Sequence, residues 1–277
     1  MKISREKELE IKNLLESGLK LSEIAEQTGF CKETIRRKCK QFGIKPVKGM
    51  TRAYTLESAP EDLKQLILGS LLGDGTFTKA SPSAYCMSIS HAEKQLLYIK
   101  FKASILEKYN LTPGISKSVQ FDKRYQYDYT VYRLRSRTNS LFKEVRDKFY
   151  NSKGKYLIDA TIFEELSPLG LAVWYMDDGY VTKYSCIFST VSIPTDTQEK
   201  LAELLLRKFD LHFTVGHNDN SMYLCASDFN KFKDLISPYV TDDLKYKLIP
   251  YRHRVLDKSD ELLESCDANQ QPSLRSA

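Results

Sequence analysis

Two aspartates in matching surroundings are the residues of this 277-residue chain whose type and spacing could do chemistry. The first closes the run Ile67-Leu68-Gly69-Ser70-Leu71-Leu72-Gly73-Asp74-Gly75. The second closes Leu171-Ala172-Val173-Trp174-Tyr175-Met176-Asp177-Asp178-Gly179. Each is a short apolar stretch ending in Asp-Gly, so each reads as a buried helix delivering one carboxylate at its C-terminal end. A helix C-terminus carries partial negative charge and disfavours a carboxylate. Burial removes its hydration, and two carboxylates brought together repel. A divalent cation answers all three objections. Mg²⁺ suits one or two carboxylates, with waters and phosphate oxygens completing its shell. Metals held between carboxylates and a phosphate support in-line displacement at phosphorus. The chemistry implied is metal-dependent phosphodiester hydrolysis, with Asp74 and Asp178 as metal ligands.

The flanks support two helices. Ser58-Ala59-Pro60-Glu61-Asp62 and Ser167-Pro168 read as helix starts, with Ser as cap and Pro in the first turn. The Gly after each Asp reads as an αL stop. Gly69 and Gly73 lie at i and i+4 on one helix face, where missing side chains admit another backbone. In a helix interior each costs up to about 1 kcal/mol relative to Ala. The second motif helix, with small Ala172, is the expected partner. Asp177 is expected to point elsewhere on its helix, in a structural or supporting role.

These motifs resemble those of LAGLIDADG homing endonucleases in the form with two motifs on one chain. The segment Trp174-Tyr175-Met176-Asp177-Asp178-Gly179 is especially similar to one branch. The likeness covers roughly residues 60–250. It implies an α+β fold: a pseudo-twofold saddle of two tandem αββαββα halves, with the motif helices on the axis and the sheets in the DNA major groove. It implies a Mg²⁺-dependent, site-specific double-strand endonuclease, with Mn²⁺ able to substitute. A long target and a monomeric state follow from the same resemblance. Lys247, in Tyr246-Lys247-Leu248-Ile249-Pro250, resembles an active-site lysine of that branch. Lys155, in Gly154-Lys155-Tyr156-Leu157-Ile158, stands at the equivalent place after the first half. There the chain departs from the family, with Asp159 where Pro is usual. By resemblance each lysine is a catalytic candidate near a scissile phosphate. Two other readings share the fold: a group I intron maturase, with its own intron RNA as partner, and a non-catalytic DNA-binding regulator. Retention of both aspartates weighs against the regulator.

Charge places a second DNA-binding unit at the front of the chain. The net charge is +6. Residues 1–52 hold 13 Lys+Arg against 7 Glu, and the remainder holds 29 of each sign. A small basic head on a balanced body points to nucleic acid. Within it, 5–16, 21–27 and 31–41 have helical spacing, with a break at Thr28-Gly29-Phe30. This resembles a helix-turn-helix: Ala25 allows a close crossing, Gly29 turns the chain, and Ile24 and Ile35 fill the junction. Its second helix would present Lys32, Thr34, Arg36, Arg37 and Lys40 to DNA. The expected domains are 1–42 (helix-turn-helix), 43–59 (linker), 60–165 and 166–258 (the two halves) and 259–277 (a polar tail).

The halves repeat a plan. The first has a strand at 85–90, a helix at 93–109, a hairpin over 115–137 turning near 122–125, and a helix at 139–150. The second has a strand at 185–191, a helix at 196–209, strands at 211–217 and 221–226, and a helix at 228–237. Arg133, Arg135 and Arg137 alternate along one strand and share a face, a bidentate reader of guanine and phosphate. Tyr127, Tyr129 and Val131 have the same parity, so either the strand is buried early and exposed late or a bulge shifts its register. Lys117, Lys123, Arg124 and Gln126 are expected on the same surface.

Other classes are excluded more simply. Six scattered cysteines without a CxxC argue against a zinc site or a disulfide framework. No apolar run is long enough to span a membrane. The expected setting is intracellular, in a bacterial or phage-infected cytoplasm. His91, without an evident partner, reads as a surface or satisfied histidine.

Overall fold

The computed structural model describes residues 3–17, 19, 21–44, 52–82, 84–111, 114–124, 126–151, 154–155, 161–216 and 219–251, and the side chains of Ser22 and Lys155 lie outside that description. The chain divides into two compact units, Met1–Arg52 and Ala53–Ala277.

The first unit holds three helices, α1 (Arg5–Glu16), α2 (Leu21–Thr28) and α3 (Lys32–Phe42). Ser4 caps α1, its hydroxyl accepting from the Lys7 amide. Gly29 turns the chain from α2 toward α3 at φ +72°, a left-handed conformation that glycine adopts without a Cβ penalty. Ile11, Leu15, Ile24, Ile35 and Cys39 form the core. The Lys38 ammonium donates to Glu8 between α3 and α1.

The second unit repeats one order. It runs α4 (Glu61–Leu72), β1 (Thr76–Ser81), β2 (Ala84–Ala92), α5 (Leu96–Lys108), β3 (Ile115–Asp122), β4 (Tyr127–Arg135) and α6 (Ser140–Phe149). After the two-residue pair β5 (Tyr150–Asn151) and β6 (Gly154–Lys155) come α7 (Pro168–Asp178), β7 (Gly179–Val181), β8 (Cys186–Ser189), α8 (Thr195–Phe209), β9 (Phe213–Gly216), β10 (Ser221–Leu224) and α9 (Phe229–Ile236). The two four-stranded antiparallel sheets have corresponding strand orders, β1-β2-β4-β3 and β7-β8-β10-β9. This is αββαββα twice. The strands β1 and β7, which follow directly on the motif helices, were absent from the expected pattern. β7 is three residues long, too short for alternation to show.

The motif helices are buried on all sides, as their unbroken apolar composition requires. Every residue of Leu66–Leu72 and of Gly170–Met176 is buried. They pack against each other through missing side chains. A Cβ on Gly69 would lie 2.4 Å from the Gly170 carbonyl oxygen and 2.7 Å from Val173 Cβ. A Cβ on Gly73 would lie 2.5 Å from Asp177 Cβ. The face of α7 at the crossing is therefore Gly170, Val173 and Asp177. Ala172 is buried in the same core, but Gly170 supplies the close approach. Gln65, fully buried on α4, ties the two helix starts together. Its Oε1 accepts from the Ser167 amide at 2.7 Å, and its Nε2 donates to the Glu165 carbonyl at 2.8 Å.

Three local expectations are corrected. Ser58 does not cap α4. It exchanges hydrogen bonds with Thr55, and Pro60 occupies the cap position. The glycines after the two aspartates are not left-handed, since positive φ is confined to other positions among the described residues. They are there for space: a Cβ on Gly75 would strike Ser70 and one on Gly179 the Tyr175 ring. The linker also ends earlier than residue 59. Tyr54, Leu56 and Ala59 are buried in the larger unit, and the amides of Tyr54 and Leu56 donate to Asn139 and Glu144.

Helix propensity favours Gly69→Ala by about 1 kcal/mol, but overpacking a tight site costs about 1–3 kcal/mol. The clash is with backbone at 2.4 Å. Gly69→Ala is expected to destabilise the larger unit, read as a lower midpoint in urea unfolding.

Candidate active site and nucleic-acid faces

The two motif aspartates leave their helices differently. Asp178 is the last residue of α7 and is half-buried. Asp74 lies two residues beyond the end of α4 and is exposed. The amides of Gly73 and Gly75 are satisfied by α4 itself, bonding to Gly69 and Ser70 carbonyls at 3.0 and 2.9 Å. The Asp74 amide, between them, donates to Asp177 Oδ2 at 3.2 Å. The charges of Asp74, Asp177 and Asp178 all act on Tyr98 and on Lys247, so the three carboxylates share one neighbourhood.

Asp177 was expected to point away. Its side chain is fully buried under Asp74. Oδ1 accepts from Lys102 Nζ at 2.6 Å and from the Tyr98 hydroxyl at 2.9 Å. Both donors come from α5, four residues apart and therefore stacked on one face. Lys102 has no exposed side chain and also lies 4.3 Å from the Tyr98 ring centroid. Burial, then Asp177, raises the Tyr98 phenol, which stays a donor at neutral pH. A buried charge needs a partner, and here the ammonium and the carboxylate are each other's.

His91 was read as a surface or satisfied group, and it is neither. It is buried on β2 with Nε2 lacking a hydrogen-bond partner, 3.5 Å from Asp177 Oδ1. Burial, followed by the charge of Lys102, lowers its pKa to about 4, so it is neutral at pH 7. Asp74, His91 and Asp177 each offer a ligand atom within 4.8 Å of the others. Asp177 is nevertheless a poor cation ligand. Lys102 already supplies the positive charge, and Tyr98 and the Asp74 amide take further lone pairs. Asp74 and Asp178 bring further carboxylates to the same neighbourhood, and carboxylate oxygen suits Mg²⁺.

Lys247 belongs to this cluster. It is buried in a 3₁₀ turn, Asp242–Leu248, and its Nζ donates to the Met176 carbonyl near the end of α7 at 2.8 Å. The Tyr175 hydroxyl accordingly donates to the Lys247 carbonyl at 2.6 Å. Burial lowers the Lys247 pKa, while Asp177, Asp178 and Asp74 oppose the shift. Lys155 pairs through its backbone with Tyr150 in β5–β6, and its side chain lies outside the described residues.

The first sheet presents one face to the core and one outward. Phe77, Met87, Ile89 and Leu134 face the core. The registers Ser88↔Arg135, Ser90↔Arg133, Ser116↔Arg133 and Gln120↔Tyr129 put Arg133, Arg135, Tyr129 and Tyr127 on the other face, with a row of serines. The parity difficulty thus dissolves. The pairing of β4 is continuous, Tyr127 and Tyr129 lie on the arginine face, and Val131 is buried on that face apart from the main core cluster. Arg133 Nε donates to Ser90 Oγ and Arg135 Nε to Cys86 Sγ, each at 3.1 Å. Arg137 follows on the exposed surface beyond β4, and Lys123, Arg124 and Gln126 are exposed at the hairpin tip. Lys117 is corrected. It pairs with Tyr132, on the opposite face from Arg133, and forms an ion pair with Glu93 at 3.1 Å.

No outward residue of the second half stands out in the sequence. There Tyr180, Ile187, Tyr223 and Thr214 form a cross-strand row beside Ser189 and Ser221. The signal was weak because β8, β9 and β10 are only four residues each. In the N-terminal unit, Lys32, Arg36, Arg37 and Lys40 are exposed on α3 and Thr34 is half-buried. Arg36 pairs with Glu33 at 2.6 Å.

The profile of the LAGLIDADG DNA endonuclease family matches residues 64–232. A probable intron-encoded endonuclease 1 of Wickerhamomyces canadensis is 23% identical over 234 residues, which cover 79% of this chain and 98% of that protein. A protein RecA of Mycolicibacterium flavescens is 24% identical over 222 residues, 73% of this chain. The chain spans about half of that relative's length (49%). Among solved structures, the homing endonuclease I-WcaI bound to its DNA recognition sequence matches with a TM-score of 0.60 at 20% identity. That match covers 71% of this chain and 88% of the other, and it shows a shared fold. No described helix is long and apolar enough to cross a membrane.

Breaking one side of a buried ion pair costs about 3–5 kcal/mol. Lys102→Met is therefore expected to destabilise the protein by that order, and Lys102→Met/Asp177→Asn by less than the sum of the two single changes. Urea unfolding of the four proteins in a double-mutant cycle checks this.

Proposed function

Because the chain belongs to the LAGLIDADG DNA endonuclease family, we propose that it is a site-specific double-strand DNA endonuclease in which Asp74 and Asp178 each hold a catalytic divalent cation, Mg²⁺ in the first instance. The observation that carries this reading is the convergence of two helix-end aspartates, Asp74 exposed and Asp178 half-buried, on the crossing of α4 and α7. A divalent cation bound there supplies Lewis-acid polarisation of the phosphate and a nucleophile at neutral pH. Water attacks phosphorus in line and the 3′ oxygen leaves, giving 5′-phosphate and 3′-hydroxyl ends.

The other residues take supporting parts. Lys247 places an ammonium beside the carboxylates, where it stabilises charge developing on the phosphate. It is held there by the Met176 carbonyl. Lys155 is assigned the corresponding role in the first half on its sequence position. The outward sheet faces dock on duplex DNA, with Arg133, Arg135 and Arg137 as the charged readers, and Lys123, Arg124 and Gln126 at the tip. Residues 1–42 form a second DNA-binding unit that contacts duplex through Lys32, Thr34, Arg36, Arg37 and Lys40. One chain supplies both halves, so the protein acts as a monomer on a long target.

Two outcomes are expected with a duplex target recovered by selection from a randomised library. Asp74→Asn and Asp178→Asn should each lower cleavage by at least about 10²-fold while retaining binding in Ca²⁺. Wild-type cutting of both strands by either variant would sink the assignment.

Arg133 and Arg135 lie two residues apart on a strand, about 6.6–6.8 Å, which matches two base-pair steps of about 3.4 Å. With each Nε anchored, the terminal amines form the fork that meets guanine O6 and N7. Arg133→Ala and Arg135→Ala should each relax preference at one base pair, two positions apart, by about 1–3 kcal/mol. Binding selection in Ca²⁺ reads this directly. A uniform loss of affinity without change of preference would mean phosphate contact instead.

A further inference from the structure

We propose that Asp177, carried by the second motif helix, is a positioning residue for the first half-site: it fixes the backbone of Asp74, so that the two strands are cut by sites of unequal construction. The inference rests on the endonuclease reading above and adds a residue and an asymmetry to it. The geometry is one-directional. Asp74 has left the hydrogen-bond ladder of α4, and its amide is anchored by Asp177 Oδ2 at 3.2 Å. Asp178 stands inside the last turn of α7, whose Tyr175 carbonyl accepts from the Gly179 amide. The position equivalent to Asp177 in the first motif is Gly73, which has no side chain to offer in return.

The anchor is itself held from the first half. Lys102 and the Tyr98 hydroxyl grip Asp177 Oδ1 at 2.6 and 2.9 Å. This orients the carboxylate so that Oδ2 faces the Asp74 amide. It also neutralises Asp177, so that a third negative charge does not compete with Asp74 for a cation. Asp177, Lys102 and Tyr98 thus act on the reacting phosphate only through Asp74. In Asp177→Asn, keeping the amide oxygen toward Lys102 turns the side-chain NH₂ toward the Asp74 amide, donor against donor.

The test uses the full chain on a selected duplex with each strand end-labelled separately. Asp177→Asn is expected to slow cleavage of one strand at least tenfold relative to the other, so that nicked duplex accumulates with a fixed strand bias. Tyr98→Phe, which removes a single hydroxyl, should show the same bias more weakly. Lys102→Met/Asp177→Ala, which removes the acceptor of the Asp74 amide without leaving a buried charge unpaired, should keep it if either single change fails to fold. A residue needed only for folding would slow both strands alike, and equal slowing, or none, overturns the proposal. Hydrogen exchange of metal-free protein gives an independent reading. Exchange in the segment carrying the Asp74 amide should rise in Asp177→Asn while α4 upstream is unchanged, and unaltered exchange there also overturns it. Were the wild-type protein to cut neither strand, the endonuclease reading would fail, and the exchange measurement would still decide whether Asp177 anchors Asp74.

Discussion

The close crossing of α4 and α7 is the constraint on which the rest of the larger unit depends. Neither helix has a solvent face, so neither is stable without the other and without the sheets around it. The crossing is close because Gly69 meets the Gly170 carbonyl and Gly73 meets Asp177. It also fixes where the chain must go next. β1 and β7 leave directly from the helix ends, and each begins a sheet of corresponding order. The distance between the sheets, and hence the span of duplex they could straddle, is set by how closely two backbones approach at a pair of glycines.

The same crossing concentrates charge. Three carboxylates converge where two helices end, a placement that the helix dipoles oppose. The protein answers with cations of its own. Lys102 pairs with Asp177 below, and Lys247 bonds the Met176 carbonyl at the end of α7. Both lysines reach the centre from the layer around the helices, one from α5 and one from the 3₁₀ turn after α9. Asp74 and Asp178, the two carboxylates that end the motifs, are exposed and half-buried, whereas the Asp177 side chain is fully buried. With the third neutralised from within, the proposed cation answers to two carboxylates rather than three.

Much of this was legible in the sequence, and the exceptions share a cause. The duplicated Asp-Gly motifs, the order of long helices and strands, and the glycine face of α4 are local signals repeated twice. The three helices around Ile24, Gly29 and Ile35 follow from a similar pattern. Residues hidden inside an apolar pattern were lost. Lys102 sits in the buried stripe of Tyr98, Ile99, Ala103 and Leu106, where periodicity treats it as a break rather than a buried partner. His91 and Asp177 became interpretable only once β2, α5 and α7 were brought together. Lys117 failed because the face of an edge strand depends on pairing register, and every residue of β3 from Ile115 to Phe121 is exposed. Ser58 and the Asp-Gly glycines failed because residue preference names several possible uses, and packing against Thr55, Ser70 and Tyr175 selected among them.

Duplication of a fold does not by itself give two equal sites, and here the crossing forbids equality at one layer. Gly73 and Asp177 occupy equivalent places in the two motifs. A Cβ at Gly73 would lie 2.5 Å from Asp177 Cβ and 2.7 Å from its Oδ2. Only one of the two helices can therefore carry a side chain there, and a second carboxylate would add repulsion to the steric clash. The sheets diverge in the same sense. β3 and β4 run to eight and nine residues with paired arginines outward, whereas β9 and β10 have four residues each and present Thr214 and Tyr223. An exposed arginine row draws phosphate and guanine over a distance, while a short tyrosine and threonine row acts on contact. The half that carries the longer, arginine-bearing sheet is also the half whose aspartate is anchored across the crossing, so charge and anchoring depart from equality on the same side of the pseudo-twofold axis.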